Sequence, residues 1–429
     1  MFAPNTMQKL FFAVPAFILF AGTIFSETTF SPSLDFRSGI LMYEAGRSSF
    51  FHTARFDADF DSEENAYSLG ARYLYGKFPH SVFCGNVHAG SVDFSFTRDF
   101  YSVRAGGGAF SFPDEVRVLN GKPHFILSGL SGFGVTLGGT VDFFILKKKF
   151  KLDADFFWGK SNVDSGDMYY FYGKPTDAIL WGGKTMVSIP HDFELFFIGG
   201  SFSMDLDTAK NISVGEFGAS VCALLVARKF ELSCLDAFSI KPFFGYAYFS
   251  AFGDASLTSE SQTYSFFPYK HVGGNFEGNL HFISAGNFLE FKKNGWGFSF
   301  NLIWLFCFGN SIFGEYSYQF KKNLFFDGSS DGGNLPLPDA SGTHLFAGKM
   351  EVSYKFLVGK NFSPTVRVTK TVGAVVLNRE VKDFLAAASS SYSTVSSSSA
   401  DSSTDSSSTS EILKKALLSG TSISLKINF

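Results

Sequence analysis

Beyond about residue 26 the chain has no apolar run of the ~20 residues that a transmembrane helix needs, which excludes a helical bundle membrane protein. Cysteine is scarce: Cys84, Cys222, Cys234 and Cys307 are scattered, with no C-x-x-C pair and no His at metal-ligand spacing. A zinc ribbon or a thioredoxin-type redox site is therefore excluded. Four cysteines in an exported chain allow three full pairings, and sequence does not choose among them; they are read as small buried or wall residues. Charge of one sign is also missing. The net charge is −3 and the pI about 6.3, so there is no basic face of the kind nucleic acid requires.

Motifs of catalysis are absent as well. The 8 His are spread along the chain without an H-E-x-x-H cluster. Gly129, Ser131 and Gly132 approach a nucleophile elbow, but Phe133 stands where the second Gly belongs. Gly106, Gly107 and Gly108 are followed by no P-loop or dinucleotide fingerprint. The reading is a non-enzyme with no cofactor and no metal.

What the chain has is phenylalanine, 57 residues in an aromatic share of 18%, yet the mean hydropathy is only +0.10. Apolar surface is diluted by Ser, Gly, Asp and Lys, as in strands with one face in lipid and the other in water. Glycine, at 43 residues, suits tight turns and close strand packing, and only 13 Pro interrupt the pattern.

The governing period is two. Trp296, Phe298, Phe300, Leu302, Trp304, Phe306 and Phe308 fall on one face, with Gly297, Ser299, Asn301, Ile303, Leu305 and Cys307 on the other. A helix would scatter these aromatics, whereas a strand stacks them. They are the candidate lipid-facing residues. The scheme recurs from Phe346 to Phe356, where Lys349, Glu351 and Lys355 take the polar face, and around Phe50–Phe60, where Arg55, Asp57 and Asp59 do. Arg72 continues it in the next segment, and Lys151, Asp153 and Asp155 repeat it over 152–158. Arg55, Asp57, Asp59, Arg72, Lys349, Glu351 and Lys355 are the candidate lumen-facing residues. Residues 120–210 are less regular. A soluble sandwich could bury such aromatics between two sheets, but candidate strands of ten or more residues suit a tilted membrane crossing better.

The two ends carry further signals. Lys9, the apolar run Leu10–Phe20 and the small residues Ala21, Gly22 and Ser26 predict a cleaved signal peptide over residues 1–26. Residues 386–410 are mostly Ser and are expected as a disordered solvated loop, followed by a short amphipathic patch over 411–418 that suits one or two helical turns. Thr421, Ile423, Leu425, Ile427 and Phe429 then form one face of a last strand. This ending resembles the terminal strand of bacterial outer-membrane β-barrels, in which an alternating apolar strand ending in Phe is read by the barrel assembly machinery.

The resemblance implies an all-β fold: a single transmembrane antiparallel β-barrel over 32–429, with roughly 14–18 strands, an even number, and both termini periplasmic. Connections such as 327–343 and the Ser-rich tract fall outside, and short turns such as 309–311 fall on the periplasmic side. With a first strand near Leu34, no room is left for an N-terminal plug or hatch. Expected partners are outer-membrane lipid, the assembly machinery and small solutes, with no nucleic acid. The leading expectation is a porin-like channel for small polar solutes. The alternatives are a surface barrel with a closed lumen, of structural or adhesin type, and a facilitated transporter of hydrophobic molecules. Charged rings in the lumen favour the first, a packed interior the second and lumen-facing aromatics the third.

Overall fold

The protein is described by a computed structural model covering residues 29–42, 48–78, 83–112, 116–118, 125–128, 130–162, 165–168, 173–208, 214–231, 238–259, 269–321, 329–334, 337–356, 362–383 and 417–428. It is all-β, one closed antiparallel barrel of 16 strands. In chain order these are β1 Thr29–Met42, β2 Ser48–Asp61, β3 Asn65–Phe78, β4 Phe83–Arg98, β5 Tyr101–Phe112, β6 Leu130–Ile145, β7 Lys148–Asn162 and β8 Gly173–Ile189. They continue as β9 Phe193–Thr208, β10 Val214–Arg228, β11 Phe238–Ser259, β12 Tyr269–Lys293, β13 Trp296–Lys321, β14 His344–Lys355, β15 Ser363–Val376 and β16 Leu417–Asn428.

Each strand pairs with its sequence neighbours, and β16 pairs with β1 from Ser33↔Asn428 to Met42↔Ser419, which closes the ring and leaves no edge. Several described connections at the termini-bearing end are tight. Asn294 and Gly295, at φ 51° and 84°, make the Asn-Gly hairpin that the right-handed twist favours between β12 and β13. Leu146 and Lys147 adopt the same left-handed conformation, φ 50° and 63°, without a glycine. The opposite end carries the longer connections, including 327–343 and the Ser-rich tract.

Strand lengths are unequal around the ring. An apolar band about 25 Å tall needs only about 9–11 tilted residues, which β14 and β16 exceed slightly at 12 residues each. β11, β12 and β13, at 22, 25 and 26 residues, stand far above that requirement. Beside them Ser329–Asn334 pairs with the upper part of β13, while Val116–Val118, Phe125–Ser128 and Ser165–Met168 form a small separate sheet reached from the start of β4.

Two details depart from the sequence reading. Residues 309–311 are no turn but lie inside β13, where the pairing with β12 slips between Phe282↔Cys307 and His281↔Gly309. The extra residue, Phe308, is a β-bulge, and beyond it the alternation of β13 changes phase. The barrel also begins at Thr29, five residues before Leu34. The predicted signal over 1–26, the Ser-rich 386–410 and Phe429 lie outside the described residues, as does 411–416, whereas Leu417 and Leu418 open β16.

Candidate functional site

Residues paired across antiparallel strands share a face of the wall, so the register carries one face around the whole ring. Asp35↔Arg55↔Arg72 fixes it on β1, β2 and β3. Arg104↔Gly138↔Asp155↔Lys184 continues it across β5 to β8. Glu351↔Thr369 and Arg367↔Ser424↔Arg37 bring it back to β1 without a change of phase. Arg55, Asp57, Asp59, Arg72, Lys349, Glu351 and Lys355 therefore all share this face, here called the Arg55 face. Trp296, Phe298, Phe300, Leu302, Trp304 and Phe306 lie on the opposite, Trp296 face, with Ile423, Leu425, Phe36 and Val368.

Exposure is greatest on the Trp296 face, although Ala58 and Phe60 on that face are buried and Ile198 and Val221 on the Arg55 face are 40% and 43% exposed. On the Trp296 face Leu137, Phe244 and Ile423 are 59%, 61% and 58% exposed. On the Arg55 face Phe243, Phe282, Ser284 and Cys307 are buried, and long polar side chains lie half-covered. Crowding of this kind belongs to the concave side of a cylinder.

Two arcs divide the Arg55 face. From β14 through β16 and β1 to β8 it is ionic. Arg55 donates through Nε to Asp57 at 2.7 and 2.9 Å and through a terminal nitrogen to Asp93 at 3.3 Å. Arg104 is held by Asp153 and by Asp155, the latter at 3.0 and 2.7 Å, and Lys184 reaches the second oxygen of Asp155 at 3.1 Å. Arg367 and Lys349 flank Glu351 at 3.0 and 3.3 Å. Glycines make room beneath these groups: a Cβ on Gly138 would collide with the Asp155 carboxylate, and one on Gly70 with Asp93. Asp57, Asp59, Lys349, Glu351 and Arg55 thus enter a charged lattice or border it. Among the described residues Arg72, Lys355 and Asp59 have no ion pair. Among the described residues Arg37 is met only by Ser422, at 2.9 Å, and the Phe51 ring, 5.6 Å from its guanidinium carbon.

The second arc, β9 to β13, is apolar along the rows that continue this register. Ile198↔Ala223↔Ala247↔Phe282↔Cys307 is one row, and Gly200↔Val221↔Phe249 is the next. Phe243 stacks on Phe288 with centroids 5.2 Å apart and lies over Gly286, where a Cβ would enter its ring. The charges here gather at the termini-bearing rim, where Lys241 pairs with Glu194 and sits over Phe196.

The Trp296 face carries aromatic belts. Near the termini-bearing end Trp296 packs on Tyr354, Tyr67 on Phe96, and Arg228 lies over both Phe193 and Phe230. Some six to ten positions further along the strands, Tyr73 and His88 are hydrogen-bonded at 2.7 Å, Tyr246 and His281 at 2.7 Å, and the Trp304 indole N–H donates to His344 at 3.1 Å. Phe308, at the bulge, joins the Tyr246–His281 group.

Sequence reading missed Asp93, Arg104, Lys184 and Arg367. Asp93 alternates with Phe94 and Phe96 and was findable by period. Arg104 sits beside Gly106–Gly108, where small residues erase the alternation. Cys222 and Cys307 are free thiols. Among the described residues no group of His, Cys, Asp and Glu has metal-binding geometry, and Ser131 lies within β6, paired with Ser111.

No protein-family model matches the chain, and no curated protein matches it. Among solved structures, Acinetobacter baumannii OccAB1 is 11% identical over 93% of this chain and 96% of its own, with a TM-score of 0.32. OccAB2 of the same organism is 10% identical over 94% and 98%, at 0.35. A bacterial polysaccharide outer membrane secretin is 7% identical over 93% and 97%, at 0.38.

Proposed function

We propose that the protein spans the bacterial outer membrane as a channel for passive diffusion of small polar solutes, with the Arg55 face lining the lumen and the Trp296 face meeting lipid. The observation that carries this reading is the ionic lattice on one face of a closed ring. Barrels of about 16 strands are wide enough to enclose water rather than a filled core, and side chains such as Arg55, Asp57, Arg104 and Asp155 need water or one another on that side. The exposed apolar residues opposite them would be costly anywhere but in hydrocarbon. Fixed charges of both signs set a transverse field that biases which ions pass.

The test is current through the refolded chain in a planar bilayer. Discrete steps are expected, with ion selectivity that shifts toward cations in Arg72→Gln. A folded barrel that passes no current overturns the proposal.

A further inference from the structure

Two matching clusters sit on the Trp296 face toward the loop-bearing end, and we propose that the one on β2–β4 binds the phosphate of an anionic lipid headgroup. The inference rests on the assignment of faces in the reading above, with the Trp296 face in lipid, and not on conduction.

Tyr73-Leu74-Tyr75 on β3 lies against Asn86-Val87-His88 on β4, with Tyr75 in register with His88. Tyr246-Ala247-Tyr248 on β11 lies against Asn279-Leu280-His281 on β12, with Tyr248 in register with His281. The hydrogen bonds repeat as well. Tyr73 meets His88 and Tyr246 meets His281 at Nδ1, each at 2.7 Å, while Tyr75 and Tyr248 donate to Asn86 and Asn279. In a ring of 16 strands β3 and β11 are eight apart whichever way the ring is followed, so the clusters stand on opposite sides of the barrel. The same geometry on two sides of one barrel lets charge be compared by itself.

Charge sets them apart. Among the described residues of β1–β5 the strand carboxylates Asp35, Asp57, Asp59, Asp61 and Asp93 all belong to the Arg55 face. The Trp296 face there carries Lys77, exposed, two residues beyond Tyr75 toward the loops and without an ion pair among the described residues. Below it Ser38, His52, Tyr75 and His88 form a single row across β1–β4. The His52 and Tyr75 rings are stacked at 6.3 Å, and His88 lies 5.2 Å from Tyr75. Both imidazoles are held at Nδ1, His52 by Ser38 at 2.9 Å and His88 by Tyr73. With those hydroxyls donating, each ring proton sits on Nε2. One ammonium and two imidazole N–H groups thus gather where a headgroup phosphate would lie, a donor set that anionic oxygens complete. Phe36 and Val92, exposed on the same face nearer the midplane, offer apolar ground to the acyl chain. A lysine at an interface extends toward water in any barrel; the row of ring donors beneath it is what turns one charge into a site. The β11–β12 cluster instead has Asp254, Glu277 and Glu315 exposed on its face, and these repel a phosphate.

The experiment records nitrogen NMR spectra of the histidine rings in the full chain, in phosphatidylcholine bicelles at neutral pH titrated with phosphatidate. The His52 and His88 signals are expected to shift and saturate, while those of His281 and His344 stay in place. Lys77→Gln is expected to raise the phosphatidate fraction at half-saturation about 5-fold, the weight of one lysine at a charged lipid surface. Lys77→Arg should restore it. Lys77 is exposed, so neither exchange disturbs the packing of the wall. The surface potential of the bicelle acts on all four rings, so equal shifts at His281 and His344, or shifts indifferent to Lys77→Gln, overturn this inference. So does a like response to inorganic phosphate in pure phosphatidylcholine, which would make the ligand a soluble ion. Cross-peaks from lipid acyl chains to Val92 and Leu425 report separately that this face meets lipid. With those cross-peaks present, silent His52 and His88 rings overturn this inference alone; without them the assignment of faces falls too.

Discussion

The two ends of the barrel are built to different rules. At the termini-bearing end the strands turn back within a few residues, as at Asn294–Gly295 and Leu146–Lys147, and the aromatic belt is Phe-rich, with Arg228 stacked between Phe193 and Phe230. At the opposite end the belt is hydrogen-bonded: Tyr73 with His88, Tyr75 with Asn86, Tyr248 with Asn279, Trp304 with His344. Above it the connections are long and carry scaffolding of their own. Asn378 caps a short helical turn by accepting from Val381 N–H at 2.8 Å, and its amide donates to the carbonyls of Asp339 and Ser341. Residues 342 and 343 bond back to the Cys307 backbone beside the bulge. On the proposed reading, a membrane with unlike surfaces would account for the difference: one belt would bury rings at a simple boundary, the other would bring polar tips to a headgroup layer rich in hydrogen-bonding partners.

Four experiments would break or sharpen that contrast. The largest effect is expected midway between the belts, where Phe300→Arg should cost about 2–4 kcal/mol of folding free energy in lipid, read from denaturant titration. The neighbouring Asn301→Arg, on the other face, should cost under about 1 kcal/mol. Equal losses would mean that the faces are assigned the wrong way round. Trp304→Phe removes the donor to His344 and should cost about 1 kcal/mol. Trp296→Phe, whose indole N–H has no such partner among the described residues, should cost less, and a reversed order would erase the distinction between the belts. Lys147→Gly relieves a left-handed backbone at the tight end and should stabilise the barrel by about 0.5–1 kcal/mol, seen as a higher midpoint in the same titration. The smallest effect is a titration at the loop end. Asp339 accepts from the Ser341 backbone N–H at 2.7 Å and from the Ser341 hydroxyl, which hold its carboxyl below the usual carboxylate range. A depressed folded-state pKa gives order that is present above the unfolded value and lost as pH falls through the folded one. The protection factor of the Ser341 amide, its exchange rate corrected for the intrinsic pH dependence, should therefore fall on acidification, and Asp339→Asn should abolish that fall.

How much of this was legible beforehand depends on which forces leave a trace in a single strand. Alternation did: the sides of Trp296–Phe306 and of Arg55–Asp59 were readable because a pleated strand converts odd and even positions directly into faces. Closure into one all-β ring followed from length and from the repeated pattern, and 16 strands lies within the range expected. The bulge at Phe308 was not legible, because a slip of register depends on what the partner strand offers and leaves Cys307–Gly309 looking like any other step. Nor was the division of the Arg55 face into two arcs. Each arc is a property of strands far apart in sequence, and in β9–β13 apolar residues occupy both faces, so that Leu224 and Leu225 read alike although they point opposite ways. Ion pairs such as Arg104–Asp155, 51 residues apart, were hidden for the same reason.

The closing pair of strands also governs when the molecule becomes itself. Arg37 meets Ser422 across a separation of 385 residues, and the ring has no complete state until that junction forms. Chain closure over such a span costs entropy that local hairpins cannot repay in advance, so the junction is expected to be the slow, late event. Until then β1 and β16 are bare edges, each able to pair with another copy as readily as with its own opposite end. The barrel's permanence and its hazard therefore share one location: what protects the finished molecule is the same backbone row that endangers it while it is being made.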